Sequence, residues 1–461
     1  MSPLAELLGL LGDSVVTDLD VIEGYRRDQA SWGPVGMPLA VVRPKATDEV
    51  QQLARWATQH RIALVPRGAG TGVAGGAGAV NGCVTVSFER MRSIIEVSPA
   101  GMYAIVQPGV LNVELKQAAA AHELWYPPDP SSFEISTLGG NVATNAGGLC
   151  CLKYGVTGDY VLGLEAVLAD GQRFRTGGRC RKDVAGYDLT RLLVGSEGTL
   201  ALITEITLRL RRRPRAPSTL VALFDSLEAS GHAVAAIVRA VDPSMLEVMD
   251  RAAIAAVESF AHLGVGEEAA AMLIAQTDSG DSGDLSLMRQ ACEANGAQLA
   301  YVTEDEDEGR LLLKARRLAY PALESLGAVV IDDVSVPLPQ LAEMFRRIEA
   351  AAARSELMVA TVAHAGDGNI HPLIVFDPEH SGAKARAITV FEELLSDALE
   401  LGGTITGEHG VGTLKAGFLP RQLAPTALNL HHGIKHAFDP LGIMNPGKVL
   451  TPAASYQPRA R

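Results

Sequence analysis

Apolar and polar side chains trade places through LITEITLRL, Leu202 to Leu210, and comparable short apolar runs separated by glycine-rich turns fill the chain up to that point. A period of two over so few residues predicts half-buried β-strands. Helical spacing stands out there mainly at Asp48 to Gln59. RRRPRAP, Arg211 to Pro217, interrupts the pattern with prolines and reads as a linker with solvated arginines. Beyond it each strand-like run is followed by a helical one: TLVALFD then SLEASGHAVAAIVRAV, MLIAQTD then SLMRQACEANG, AVVIDDVSV then LPQLAEMFRRIEAAAARSE. That alternation predicts an antiparallel sheet with helices on one face, and so an α+β fold. The acidic run Glu304 to Glu308 suits a solvated helix start, where the dipole is positive. From GGTITGEHG to NPGK the chain is again rich in glycine and polar residues.

One segment poses a sharper question. Between the strand-like Ile62-Ala63-Leu64-Val65 and the next such run, VTVSFE, lies PRGAGTGVAGGAGAVNG, Pro66 to Gly82. Its Gly70-Thr71-Gly72-Val73-Ala74-Gly75 satisfies G-x-G-x-x-G, and Glu89 stands where a ribose-binding carboxylate would be sought. A Rossmann loop, however, ends in a helix whose N-terminus faces a pyrophosphate. Here more glycine and alanine follow, then the Asn81-Gly82 turn signal. A glycine-dense loop between strands can still bind phosphate, because successive N–H groups without Cβ atoms form a nest for anions. A plain surface loop is the simpler alternative.

Composition narrows the classes. The chain has 461 residues, 47% of them hydrophobic, enough for two or three globular domains. Lys+Arg 40 against Asp+Glu 53 leaves a net charge of −13, which disfavours nucleic acid and anionic membrane as partners. No apolar run is long enough to span a bilayer, and no basic region, apolar core and cleavage site open the chain, so a soluble, cytoplasmic protein is expected. Cys83, Cys150, Cys151, Cys180 and Cys292 are odd in number and form no C-x-x-C, against a disulfide framework or an iron–sulfur cluster.

Three further constellations can carry chemistry. PPDPSS, Pro127 to Ser132, leads into STLGGNVATNAGG, Ser136 to Gly148, where Gly139, Gly140 and Gly147 expose backbone amides and Asn141 and Asn145 add donors for a flat heteroaromatic cofactor or its phosphates. In VAHAGDGNIHPLIVF, apolar strands flank a Gly-Asp-Gly-Asn turn that puts His364 and His371 opposite each other, a ready pair of metal ligands. In TGEHGVG, Glu408 could complete a His/His/Glu site while His409 stays free as a base, the two side chains pointing to opposite sides if the segment is extended.

In their order, PRGAGTG, PDPSS, STLGGNVATNAGG, KYG, LVGSEGTL, HAGDGNIH, GEHGVG and NPGK resemble the vanillyl-alcohol-oxidase type of FAD enzyme, from about Leu39 to Lys448. The likeness is to its D-2-hydroxy-acid dehydrogenase branch, and LEVMD, Leu246 to Asp250, is nearest to glycolate-oxidase FAD subunits, with D-lactate dehydrogenases beside them. The resemblance implies an FAD-binding domain of two α+β subdomains over residues 1–215, an antiparallel cap over 216–405 and a segment, 406–461, returning over the flavin. Pro66 to Gly72 becomes a pyrophosphate loop that needs no Rossmann helix. The implied FAD contacts are Pro66, Arg67, Gly68, Ala69, Gly70, Thr71, Gly72, Pro128, Asp129, Ser132, Thr137, Gly139, Gly140, Asn141, Asn145, Gly147, Glu197, Gly198, Ile203 and Asn445. His364, His371 and Glu408 match the ligands of a divalent metal, zinc foremost; His409 matches the base, and Arg316 the arginine that receives the substrate carboxylate.

Two positions refine this. Thr71 takes the place of the histidine that carries a covalent flavin in some relatives, which implies noncovalent FAD. Ile331 takes the place of a lysine found in the 2-hydroxyglutarate enzymes, which favours a monocarboxylate, glycolate or D-lactate, over a dicarboxylate. With no cluster motif of its own, the chain is expected to pass electrons to an iron–sulfur subunit, an electron-transfer flavoprotein, a cytochrome or a quinone, and a partner of that kind could hold it at a membrane; a homo-oligomer is also allowed. A metal-dependent hydrolase built on His364, His371 and Glu408 would leave the glycine loops without a task. A catalytically silent binding subunit would have no use for His409 beside intact ligands.

Overall fold

A computed structural model describes residues 1–30, 32–264 and 268–451, so the end of the expected C-terminal segment, 452–461, lies outside the described residues. The chain divides into two compact units. The first comprises residues 1–147, 156–213 and the segment from 408 onward; the second comprises 148–155 and 214–407.

The first unit contains two main sheets. In one, the strands run in the order Val15–Val16, Ala40–Val42, Val84–Ser87, Leu64–Arg67, and the last three are mutually parallel. Helix Thr47–His60 covers it, because Val50, Leu53, Ala54 and Ala57 recur at helical spacing and meet Val42, Leu64, Val84 and Val86 in one core. The neighbouring parallel strands Leu64–Arg67 and Val84–Ser87 are joined through the glycine segment, which holds no helix. The other sheet is antiparallel, with Ile94–Ser98, Tyr103–Val106, Leu202–Arg209, Val161–Val167 and Arg173–Gly177 in spatial order. Its central strand is buried on both faces rather than half-buried. Leu202 joins the first core and Ile203, Ile206 and Leu208 the second, while Thr204 Oγ1 hydrogen-bonds Glu165 Oε1 at 3.1 Å. An alternating pattern is compatible with full burial once the polar residues find partners.

The C-terminal segment belongs to this unit through the backbone: Leu64 N donates to Ile443 O at 2.8 Å and Asn445 N to Leu64 O at 2.8 Å. The expected linker is partly structured, since Arg211–Arg212 pairs antiparallel with Leu124–Trp125.

The second unit is built on an eight-stranded sheet whose spatial order is Ala297–Thr303, Ser218–Phe224, Ala271–Thr277, Met245–Asp250, Met358–His364, Asn369–Phe376 and Ala328–Ile331, with Val334–Ser335 pairing off the Asn369–Phe376 strand. All its pairings are antiparallel. Helices Arg251–Ala261 and Glu306–Glu324 lie on the face that carries Met245, Met249, Met272 and Ile274. Residues 245–249 are buried consecutively, so packing extends beyond the single face expected from the strand–helix alternation. The acidic run does open a helix: Asp305 caps Glu306–Glu324 by accepting from the N–H groups of Asp307 and Glu308. Of the five cysteines, Cys83 and Cys292 are buried, Cys150 and Cys151 only partly so, and Cys180 is exposed. Among the described residues no helix is long and apolar enough to cross a membrane.

Candidate active site

In the first unit the glycine segment makes a cradle. A Cβ on Gly68 would lie 2.2 Å from Thr137 Oγ1, and one on Gly139 2.6 Å from Pro108 Cβ, so both positions need glycine for close approach of chain to chain. Gly70 sits at φ +78° against the Arg67 guanidinium, and Gly198 at φ +68° against Pro66. Arg67 itself is anchored by donating from Nη1 to Arg27 O at 2.6 Å and lies 5.7 Å from the Tyr25 ring centroid. Arg67, Gly68, Ala69 and Thr137 border a cavity of about 400 Å³. Gly24, Tyr25, Glu89, Arg92, Gly109 and Leu111 complete its wall. Among the described residues no hydrogen bond uses the N–H groups of Ala69, Gly70 or Thr71. Open amides, the bare backbone at Gly24, Gly68 and Gly109, and two guanidinium groups against one carboxylate suit a diphosphate-bearing cofactor.

Other residues expected at the flavin serve the frame of this unit. Thr137 caps helix Leu138–Thr144 by accepting from Gly140 N. Asn141 is buried, donates to Ser136 Oγ at 3.2 Å and accepts from Asn112 Nδ2 at 3.1 Å; Asn112 also donates to Pro128 O. Asn145, at φ +53°, ends the helix and accepts from Gly158 N at 2.7 Å. Ser132 accepts through its backbone oxygen from Ile135 N and Ser136 N, holding the turn that follows Asp129, and Ile203 is core. Glu197, at φ +50°, accepts at its two carboxylate oxygens from Val411 N (2.7 Å) and Gly412 N (2.9 Å). Its backbone oxygen receives Asn445 Nδ2 at 2.7 Å. Glu197 is thus a clip for the C-terminal segment, and burial pushes its carboxyl up to about 7 against the lowering effect of those two N–H groups. Asn445 Oδ1, by contrast, is a buried acceptor with no partner among the described residues, which leaves it available to a ligand donor. Gly72 lies near Asp28 Oδ2, while a Cβ on Gly147 would meet Glu408 Oε2 at 2.4 Å. Around Glu408 the backbone bends instead of extending, so the expected divergence of Glu408 and His409 is not found: Glu408 Oε1 and His409 Nε2 are 3.8 Å apart.

In the second unit the two histidines are brought together, though not directly opposite. The hairpin register pairs His364 with Asn369 and His371 with Val362, so the imidazoles are diagonal neighbours on one face, displaced two residues along the strands. Their ring centroids are 5.1 Å apart at 83°, and both side chains are buried. His364 Nδ1 lies 2.7 Å from Glu247 Oε1, and Arg316 Nε donates to Glu247 Oε2 at 2.8 Å. Asp333 fastens the turn and its surroundings: it accepts from Asn369 Nδ2 (2.7 Å), Thr406 Oγ1 (2.7 Å) and Gly407 N (2.9 Å). Two buried imidazoles, one with its Nδ1 committed to a carboxylate, are a donor set that fits a divalent metal such as zinc. Glu247, Asp333 and, in the other unit, Tyr25 and Arg92 were not singled out from the sequence. LEVMD did contain the signal for Glu247, an acid with apolar residues on both sides, Leu246 and Val248.

The C-terminal half of the chain, residues 213–449, matches the family profile described as FAD linked oxidases, C-terminal domain, and residues 38–177 match the FAD binding domain profile. The chain belongs to the FAD-linked oxidases: it is a flavoprotein oxidoreductase of the vanillyl-alcohol-oxidase fold type that takes FAD and acts on CH–OH groups. Among similar curated proteins, the glycolate oxidase subunit GlcD of Bacillus subtilis is 41% identical, covering 90% of this chain and 89% of its own. The D-lactate dehydrogenase of Archaeoglobus fulgidus is 37% identical, covering 93% and 96%. The crystal structure of p-cresol methylhydroxylase with substrate bound shares the fold at a TM-score of 0.81 and 18% identity, covering 97% of this chain and 96% of that one.

Proposed function

We propose that the chain oxidises a small D-2-hydroxy monocarboxylate, glycolate or D-lactate, to the 2-oxo acid. The observation that carries this reading is the buried array of His364, His371 and Arg316 on one face of the second unit's sheet. It offers two metal-ligand nitrogens and a guanidinium to an acid that bears both a carboxylate and a hydroxyl. Similarity to proteins named as a glycolate oxidase subunit and a D-lactate dehydrogenase supports the same substrate class. The flavin, when bound, supplies a hydride acceptor at N5. A divalent metal, held by His364, His371 and Glu408, would supply Lewis-acid polarisation of the substrate hydroxyl.

The chain's own residues then have separate tasks. Arg316 receives the substrate carboxylate and orients Cα; among the described residues no hydrogen bond occupies its two Nη groups. His409 accepts the hydroxyl proton at its imidazole as the hydride leaves Cα. Arg67 to Gly72 and Asn445 hold the FAD, without a covalent link because Thr71 offers only a hydroxyl. Ile331 packs on the apolar cluster of Ala315, Ala319 and Met245, which leaves no cation at that position for a second carboxylate and argues against 2-hydroxyglutarate. The electrons pass on to an acceptor outside this chain. Turnover of glycolate or D-lactate with an artificial dye acceptor, the 2-oxo acid being identified, tests the reading; it is expected to fall to background after chelation and to return with zinc. Full turnover in protein shown by elemental analysis to hold no metal would defeat the metal half of it.

A further inference from the structure

The structure assigns to Glu247 a role that depends on the metal reading above: it is the positioning residue that sets the tautomer of His364 and the aim of Arg316 together. Strand pairing creates the arrangement. Glu247 and His364 are register partners on adjacent antiparallel strands, so their side chains leave the same face of the sheet. Alternation along Met245–Asp250 puts Glu247 on the face of Met245 and Met249, the face covered by helix Glu306–Glu324, from which Arg316 reaches back. The three side chains are almost wholly buried, 0% exposed for Glu247, 5% for His364 and 7% for Arg316.

A carboxylate has two acceptor oxygens, and each is used once: Oε2 for Arg316 Nε and Oε1 for His364 Nδ1. The second contact requires a proton on Nδ1, because a carboxylate only accepts. That leaves Nε2 with its lone pair, the state a metal ligand needs. The same carboxylate holds the guanidinium by its Nε edge, leaving the Nη edge for a substrate carboxylate. One acid therefore ties the substrate's anion site to the metal site.

Glu247→Gln separates this from a packing role. The amide has one acceptor oxygen for two donors. The stronger, charge-assisted bond to Arg316 takes that oxygen, so the amide NH2 faces Nδ1 and drives the proton to Nε2. Zinc affinity of the FAD-loaded variant, by competition with a chromophoric chelator, is expected to fall about 10–100-fold with an unchanged flavin spectrum, and excess zinc to restore turnover. Arg316→Gln leaves Glu247 in place, so it is expected to bind zinc at least as tightly as the parent while KM for the acid rises. Equal zinc affinity in Glu247→Gln and the parent, or equal losses in both variants, overturns the assignment. Should Glu247→Gln not fold, 15N-histidine NMR of the parent decides: Nδ1–H at His364 is expected, and Nε2–H contradicts it. A parent protein that binds no zinc would defeat the metal reading itself, while the tautomer measurement would still judge the contact.

Discussion

Replacing Glu197 by glutamine changes the pH dependence of stability in a direction the structure dictates. Burial raises the carboxyl from 4.5 to about 7. Below about pH 4.5 the side chain is protonated in both folded and unfolded chains. As pH rises from there, the unfolded chain ionises while the folded one keeps its proton, so stability falls until the folded group also ionises, near pH 7. A shift of about 2.5 units at about 1.4 kcal/mol per unit makes the full loss roughly 3 kcal/mol, of which about 2.5 kcal/mol falls between about pH 5 and pH 8. Glutamine cannot titrate. It also cannot accept from both Val411 N and Gly412 N, so one buried N–H loses its acceptor, at a pH-independent cost of about 1–3 kcal/mol. The variant is therefore expected to be less stable than the parent at about pH 5, and to close that gap, or reverse it, at about pH 8. Titrating groups that do not interact with Glu197, such as Asp250, which burial also raises to about 7, cancel in the difference, while Asp28 and Lys448, which do interact with it, change with the substitution. Urea unfolding at a fixed excess of FAD measures it, followed by tryptophan fluorescence, since all 3 tryptophans (Trp32, Trp56 and Trp125) belong to the first unit. A parent–variant difference that stays constant within about 0.5 kcal/mol across this range would refute the reasoning.

Three further outcomes are expected. Gly68→Ala places a Cβ 2.2 Å from Thr137 Oγ1, so the loop must move, and FAD affinity by reconstitution of the apoprotein should drop at least about 10-fold; an unchanged Kd would remove this loop from the cofactor site. Acid precipitation should leave all the yellow colour in the supernatant, and flavin retained in the pellet would point to a covalent link. His409→Ala should slow flavin reduction by about 10²–10⁴-fold with FAD still bound, and a rate within a factor of a few of the parent would mean that another group takes the proton.

Local pattern carried the elements well and the contacts unevenly. The helix expected at Asp48 to Gln59 is found as Thr47–His60, and the three strand–helix pairs beyond Pro217 are present, because periodicity is a property of neighbouring residues. The G-x-G-x-x-G letters misled only as far as the missing helix allowed, and that absence was readable in the glycines after Gly75. Glu89, sought for a Rossmann reason that failed, nevertheless borders the cavity beside Arg67. The pairing of His364 with His371 was legible from the turn between them, but their diagonal register was not, since loop geometry rather than spacing decides which residues face each other. Glu247 is 117 residues from His364 and 69 from Arg316, so no local pattern joins them; only strand order in the sheet does. Glu197 likewise reads as one acid in LVGSEGTL until the chain, more than two hundred residues later, returns Val411 and Gly412 to it.

The central claim is that this flavoprotein takes hydride from a small D-2-hydroxy monocarboxylate. Anaerobic bleaching of the bound flavin, followed in a stopped-flow instrument with glycolate, D-lactate, L-lactate and D-2-hydroxyglutarate in turn, tests it most directly. Rapid, complete reduction by glycolate or D-lactate, with L-lactate and D-2-hydroxyglutarate far slower, is the predicted result. Reduction fastest with D-2-hydroxyglutarate, or none with any of the four in metal-loaded protein, would contradict it.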